Sequence, residues 1–179
     1  MERRDYLRTA AIGTVPGIVG LAGCSGNNGQ DGGGGEPTTE GNTNTVQMVT
    51  EGSEFYFDPI GLFVQSGETI TWEIQSGTHT STAYEEGNGP ASVTRIPEGA
   101  DAWDSGTLGE QGATFNQTFE TAGTYDYYCI PHKQLGMVGR IVVDEPGGPA
   151  EGSMPPDGEV PQSQSIVEQG AISYSEFRG

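Results

Sequence analysis

The sequence predicts an all-β domain, a sandwich or barrel of short strands set between two low-complexity flanks. Three observations carry this. Seven short runs rich in β-branched or aromatic residues lie between Val46 and Val143: Val46–Val49, Phe55–Phe57, Leu62–Val64, Thr69–Ile74, Thr114–Phe119, Thr124–Cys129 and Val138–Val143. Turn signals punctuate them (Ser66-Gly67, Asn88-Gly89-Pro90, Ser105-Gly106, Ala122-Gly123), the spacing of a sandwich or barrel rather than of strands alternating with helices. The remainder is poor in apolar residues. Thirty glycines, eleven prolines and only 32% hydrophobic residues leave much of the 179-residue chain as linker.

The N-terminus reads as an address. Met1-Glu2-Arg3-Arg4-Asp5-Tyr6-Leu7-Arg8 is a basic opening, and the apolar stretch from Thr9 to Ala22 follows it. Fourteen residues are too few to span a bilayer, which takes about 20 in a helix. Basic region, short apolar region and small residues before a break are the parts of an export signal. Arg3-Arg4 followed by Tyr6-Leu7 resembles a twin-arginine signal, the route for folded cargo; the plainer alternative is an ordinary signal with two charges. Leu21-Ala22-Gly23-Cys24 resembles a lipobox, in which cleavage after residue 23 leaves Cys24 as a lipidated N-terminus. Residues 24–45 are then a tether of Gly, Asn, Thr, Asp and Glu, unable to bury enough apolar surface to offset the entropy of ordering. The domain itself is expected over 46–144.

Within the domain, alternation fixes orientation. Tyr125, Tyr127 and Cys129 share one strand face, and Asp126 and Tyr128 share the other. An unpaired buried Asp126 would be costly, so its face is expected to be wet, with Tyr128 outward and Cys129 inward at the strand end. Gly87 to Trp103 is expected as a long loop with room for a short helix.

Charge narrows the function. The net charge is −18, from seven Lys and Arg against 25 Asp and Glu. Nothing here neutralises phosphates, which excludes a nucleic-acid binder. Charge so one-sided is self-repulsive in dilute buffer. At molar salt the screening length is roughly 3 Å and the repulsion fades, so the composition suits a high-salt medium; the alternative is an acidic surface matched to a basic partner. Removing residues 1–23 takes away three arginines and two acids and brings the charge to −19.

Chemistry concentrates in Cys129-Ile130-Pro131-His132-Lys133-Gln134-Leu135-Gly136-Met137, which sets a thiolate, an imidazole and a thioether in nine residues. Thiolate, imidazoles and a weak thioether form the donor set that selects copper for electron transfer. A plane of two histidines and one cysteine needs a second imidazole, and His79 is the only other histidine in the chain. Two histidines cannot furnish a multicopper oxidase or reductase. Taken singly, Cys129 and Met137 would be ordinary core residues and His79 an ordinary surface or hydrogen-bonded one.

Cys129-x-Pro131-His132-x-x-x-Gly136-Met137, preceded by Gly123-Thr124-Tyr125-Asp126-Tyr127-Tyr128, resembles the plastocyanin branch of the cupredoxins, and the chain is similar to the salt-adapted, membrane-anchored halocyanins of haloarchaea. The resemblance spans about Val46 to Val143 and includes Phe57, Pro59, Gly67, Thr69 and Trp72. It implies a Greek-key β-sandwich and a monomeric electron carrier, not an enzyme, with one type 1 copper on His79, Cys129, His132 and Met137. It also implies His132 as the short electron exit and Tyr128 as a second, remote path, where the plain alternative is a sheet-surface aromatic. Partners would be membrane-bound redox complexes or other carriers, met at the outer membrane face where Cys24 anchors the chain. Copper delivery at the cell surface is the rival function. One position departs from the family: Thr80 stands where asparagine usually follows the first histidine ligand and ties the two ligand loops together.

Lys133, the only lysine, follows the exit ligand and is either a docking charge for an acidic partner or a plain solvated residue. After Asp144 the composition turns to linker again. Residues 145–179 carry Ile166, Val167, Ile172, Tyr174 and Phe177 without a clear period. They are expected as a disordered tail, an extra strand or a partner-binding segment.

Overall fold

A computed structural model describes residues 44–179. The export signal, Cys24 and almost all of the tether lie outside the described residues. The strands are β1 (Thr45–Glu51), β2 (Glu54–Asp58), β3 (Gly61–Val64), β4 (Glu68–Ile74), β5 (Thr82–Ala83), β6 (Thr114–Phe119), β7 (Gly123–Tyr128), β8 (Val138–Val143) and β9 (Ala171–Ile172). They form two sheets, ordered β2-β1-β4-β6 and β5-β7-β8-β3-β9. Both contain parallel pairs between strands distant in sequence, β1 with β4 and β3 with β8, so the chain crosses repeatedly between layers. All seven expected runs are strands. The two-residue β5 is too short to carry a period and was not expected, while the equally short β9 is the extra strand offered for residues 145–179.

Alternation places the core between the sheets. Val46 and Met48 of β1, Ile70, Trp72 and Ile74 of β4, Tyr125 and Tyr127 of β7 and Ile141 and Val143 of β8 point into it, joined by Phe57, Trp103 and Phe119. Trp72 is central, with its ring centroid 5.5 Å from that of Tyr127 and 5.6 Å from that of Trp103. Cys129 and Met137 are part of this core at one end. The segment from Gly87 to Trp103 contains no helix; it is a loop of turns that contributes Ile96 and Trp103 to the core.

The outer face of β7 and β8 is where expectation and structure part. It is not wet. Asp126 and Tyr128 are fully buried, and every residue of β7 and β8 is buried. The burial of Asp126 is compensated: Arg95 Nε donates to Oδ2 at 2.8 Å, and Arg140 donates from Nε to Oδ1 at 2.7 Å and from Nη2 to Oδ2 at 3.0 Å. The same guanidiniums donate to the carbonyls of Ala150, Ser153 and Pro161, so they fasten residues 150–161 onto the sheet. Beyond them, α1 (Ser163–Gln169) lays Ile166 against Ile60 and Val142. β9 pairs with the edge of β3, and α2 (Tyr174–Arg178) stacks Tyr174 on Tyr56 with centroids 4.1 Å apart. Residues 145–179 are therefore a built layer of the domain rather than a disordered tail, and the packed unit runs on past Asp144.

Candidate metal centre

Three loops meet at the end of the sandwich where β7 delivers Cys129. The ligand loop turns back at once: Cys129 N donates to Met137 O at 3.0 Å, a 3₁₀ turn spans Lys133–Leu135, and Gly136 closes it at φ 84°, a conformation that favours glycine. That geometry returns the chain into β8 with Met137 fully buried beside Cys129. The second loop, after β4, carries His79, whose backbone pairs with Leu108. The third is the β1–β2 hairpin, which brings Phe55 over the site.

Ligand-capable atoms of His79, Cys129 and His132 all lie within 4.8 Å of one another. Both imidazoles turn Nδ1 toward the sulfur, at 3.7 Å for His79 and 3.4 Å for His132. The opposite edge of the His79 ring is occupied: Nε2 lies 2.9 Å from Ser76 O and 3.1 Å from Thr50 Oγ1. A carbonyl can only accept, so Nε2 carries the proton and Nδ1 presents its lone pair toward Cys129. His132 is fixed differently, by stacking on Phe55 with centroids 3.9 Å apart and planes 14° apart. Thr80 N–H donates to the sulfur at 3.4 Å.

Thr80 also closes the point left by the sequence. Its Oγ1 accepts from Ile130 N at 2.8 Å and lies 3.0 Å from Thr82 Oγ1, so a threonine ties the His79 loop to the Cys129 loop.

Burial pushes the Cys129 thiol up from its ordinary range, with the Thr80 bonds and the His132 backbone opposing it. Burial pushes both imidazoles down. The metal-free pocket thus favours neutral thiol and neutral imidazoles, and metal entry must release the thiol proton. Soft sulfur, two neutral imidazoles offering lone pairs and a buried thioether residue suit copper in both oxidation states.

Two further expectations are revised. Tyr128 lies on the outer face of β7 as expected but is covered there: its hydroxyl donates to Asn88 O at 2.7 Å, and its ring packs on Tyr84 with centroids 4.4 Å apart, in a cluster shared with Val160 of the C-terminal layer. Lys133 is not a free charge: its ammonium lies 3.0 Å from Asp157 Oδ2 and sits over the Tyr84 and Tyr128 rings. Sequence reasoning missed Asp157, Arg95 and Arg140. The last was within reach, because β7 and β8 flank the ligand loop and their antiparallel register sets Asp126 opposite Arg140.

A two-sheet sandwich that ends in a buried thiol flanked by two imidazoles defines a cupredoxin-type metal centre. The chain belongs to the plastocyanin/azurin family of copper-binding proteins, whose family model matches residues 44–144, and that family carries electrons on one copper ion. It is 31% identical over 102 residues to plastocyanin of Scenedesmus fuscus, covering 55% of this chain and 97% of that one. It is 33% identical over 112 residues to halocyanin of Natronomonas pharaonis, covering 62% of this chain and 63% of that one. A pseudoazurin structure from Sinorhizobium meliltoi aligns at TM-score 0.48 and 27% identity over 70% of this chain and 91% of that one. The family match ends where the C-terminal layer begins. Among the described residues no helix is long and apolar enough to cross a membrane.

Proposed function

We propose that His79, Cys129, His132 and Met137 hold a type 1 copper ion, and that the protein shuttles electrons between membrane redox complexes or other carriers at the outer membrane face. Anchorage there rests on the lipobox reading of Cys24. The observation that carries the ligand reading is the convergence of two Nδ1 atoms on one buried sulfur, with the far edge of His79 already committed to Ser76.

Bound copper supplies a one-electron Cu(II)/Cu(I) couple. The chain supplies the rest. Ser76 and Thr50 hold His79, Phe55 restrains His132, and the Thr80 amide hydrogen-bonds the sulfur, so the chain itself fixes the donors, which would limit their movement between oxidation states of a bound copper. Full burial of Cys129 and Met137 excludes water. His132 is only half-buried, and Leu135 beside it is 64% exposed, which makes this end the contact surface for a partner. Copper delivery fits less well, because its donors would need to be open to exchange.

The decisive test is colour. Full-length protein loaded with Cu(II) should show the intense blue of a short copper–thiolate bond, and Cys129→Ala should abolish it while far-UV circular dichroism stays unchanged. A Cys129→Ala protein that stays blue overturns the ligand assignment.

A further inference from the structure

The C-terminal layer reaches the ligand loop at one point. Asp157 Oδ2 accepts from the Tyr84 hydroxyl at 2.7 Å and pairs with Lys133 Nζ at 3.0 Å, with both side chains of the ion pair less than a fifth exposed. Lys133 opens the 3₁₀ turn between His132 and Met137 and also donates to Pro90 O at 3.3 Å. The next residue, Gly158, runs against the backbone of Gly136, so closely that a Cβ there would lie 3.1 Å from Gly136 O and 2.8 Å from a Val138 methyl. Val160 then fills the space between Tyr84, Tyr128 and Val138. Behind this contact the segment is fixed to the sheet by Arg95 and Arg140, through the Ala150, Ser153 and Pro161 carbonyls. The ligand loop is thus braced from outside by a segment that is itself anchored twice.

We infer that Asp157 is a positioning residue for the metal centre. Through Lys133 it holds the Cys129–Met137 loop against the C-terminal layer, so that layer helps to set the geometry of His132 and Met137. The inference rests on the ligand reading given above. A partly buried pair with two further polar partners is worth more than a free surface ion pair, which contributes little. Its loss frees a loop rather than unfolding a sandwich. Partners bonded directly to a ligand are worth about 10-fold or more in metal affinity; Asp157 acts through Lys133, so about 10-fold is the upper bound of its effect.

The test uses full-length protein with Asp157→Asn, Lys133→Met, the double variant and Asp157→Glu. In the metal-free state, amide exchange at Leu135, Gly136 and Met137 should quicken in Asp157→Asn and Lys133→Met, and β4 should be unaffected. With Cu(II) loaded, both variants should alter the intensity ratio of the two thiolate-to-copper bands and release copper to a chelator faster, by up to about 10-fold. The double variant should match the singles, and Asp157→Glu should restore wild-type behaviour. Unchanged loop exchange and band ratio in both single variants overturn the brace while leaving a blue wild type intact. A wild type that takes up copper without the blue colour overturns the ligand reading, and this inference with it.

Discussion

Asp126→Asn isolates the interaction that joins the C-terminal layer to the copper-binding sandwich. In the wild type one fully buried carboxylate receives three hydrogen bonds from two guanidiniums, whose side chains are 7% and 3% exposed. Asparagine keeps the shape and one acceptor, but its NH2 group replaces an oxygen and faces donors. Two buried cations then lose the carboxylate they pair with and keep Glu151 as a more distant counter-charge. Breaking a buried pair from one side costs about 3–5 kcal/mol, and hydrogen bonds to charged groups about 1.5–3 each, so a loss near 4 kcal/mol is expected. At a urea slope of about 2 kcal/mol/M the midpoint should fall by ~2 M. Because the pair is shielded from solvent, the deficit should persist in molar salt, where the Debye length is about 3 Å. Urea titrations at low and molar salt, followed by tryptophan fluorescence, measure both quantities. A loss below about 1 kcal/mol, or one that vanishes in high salt, would refute the account of Asp126 as the buried counter-charge for Arg95 and Arg140.

Three further outcomes are expected. With copper held as proposed, Met137→Leu should keep the blue colour and raise the reduction potential by about 59 mV, one tenfold change in the ratio of Cu(II) to Cu(I) affinity, because loss of a weak thioether donor disfavours Cu(II); loss of copper in voltammetry samples would show that Met137 is one of the strong ligands. Thr80→Val leaves Ile130 N–H without its acceptor and should cost about 1–3 kcal/mol, with faster exchange at that amide, whereas Thr80→Asn should restore both; equal Ile130 protection in the valine variant counts against the loop-tying role. Burial alone would raise the Glu151 carboxyl, but the hydroxyls of Ser163 and Thr124 and the guanidiniums of Arg140 and Arg95 more than offset this and hold it below the usual carboxylate range. Its stabilising contribution is therefore present above the unfolded value and lost as pH falls through the folded one. Urea midpoints taken from about pH 5 to 2.5 should drop less steeply in Glu151→Gln, and identical slopes would remove Glu151 from the acid response.

The strands and the Cys129–Met137 loop were legible because each is a local signal, whereas His79 was reached by elimination as the one other histidine. Period-2 runs such as Thr69–Ile74 and Val138–Val143 declare strands, and the spacing from Cys129 to Met137 declares a ligand loop. What escaped was long-range compensation. The wet-face reading of Asp126 was sound for an unpaired carboxylate, and it failed because Arg95 and Arg140 arrive from 31 and 14 residues away. Tyr128 went with it, since Tyr84 and Val160 cover it on the same face. The layer built by residues 145–179 was illegible for a related reason. α1 spans seven residues and β9 two, lengths at which no period can establish itself, and both are held by what they pack on rather than by propensity. Lys133 was misjudged because its partner, Asp157, lies in that unread layer.

The burial of Tyr128 also has a kinetic consequence. With that face covered, and with the copper held as proposed, His132 is the most exposed of the candidate ligands, so a donor and an acceptor that both use it would compete for one footprint and could not sit on the protein together. Turnover must then alternate: one partner leaves before the next arrives, and the dwell time of each complex caps the flux. A molecule of this kind works as a courier that takes its partners in turn and does not serve as fixed wiring between two complexes.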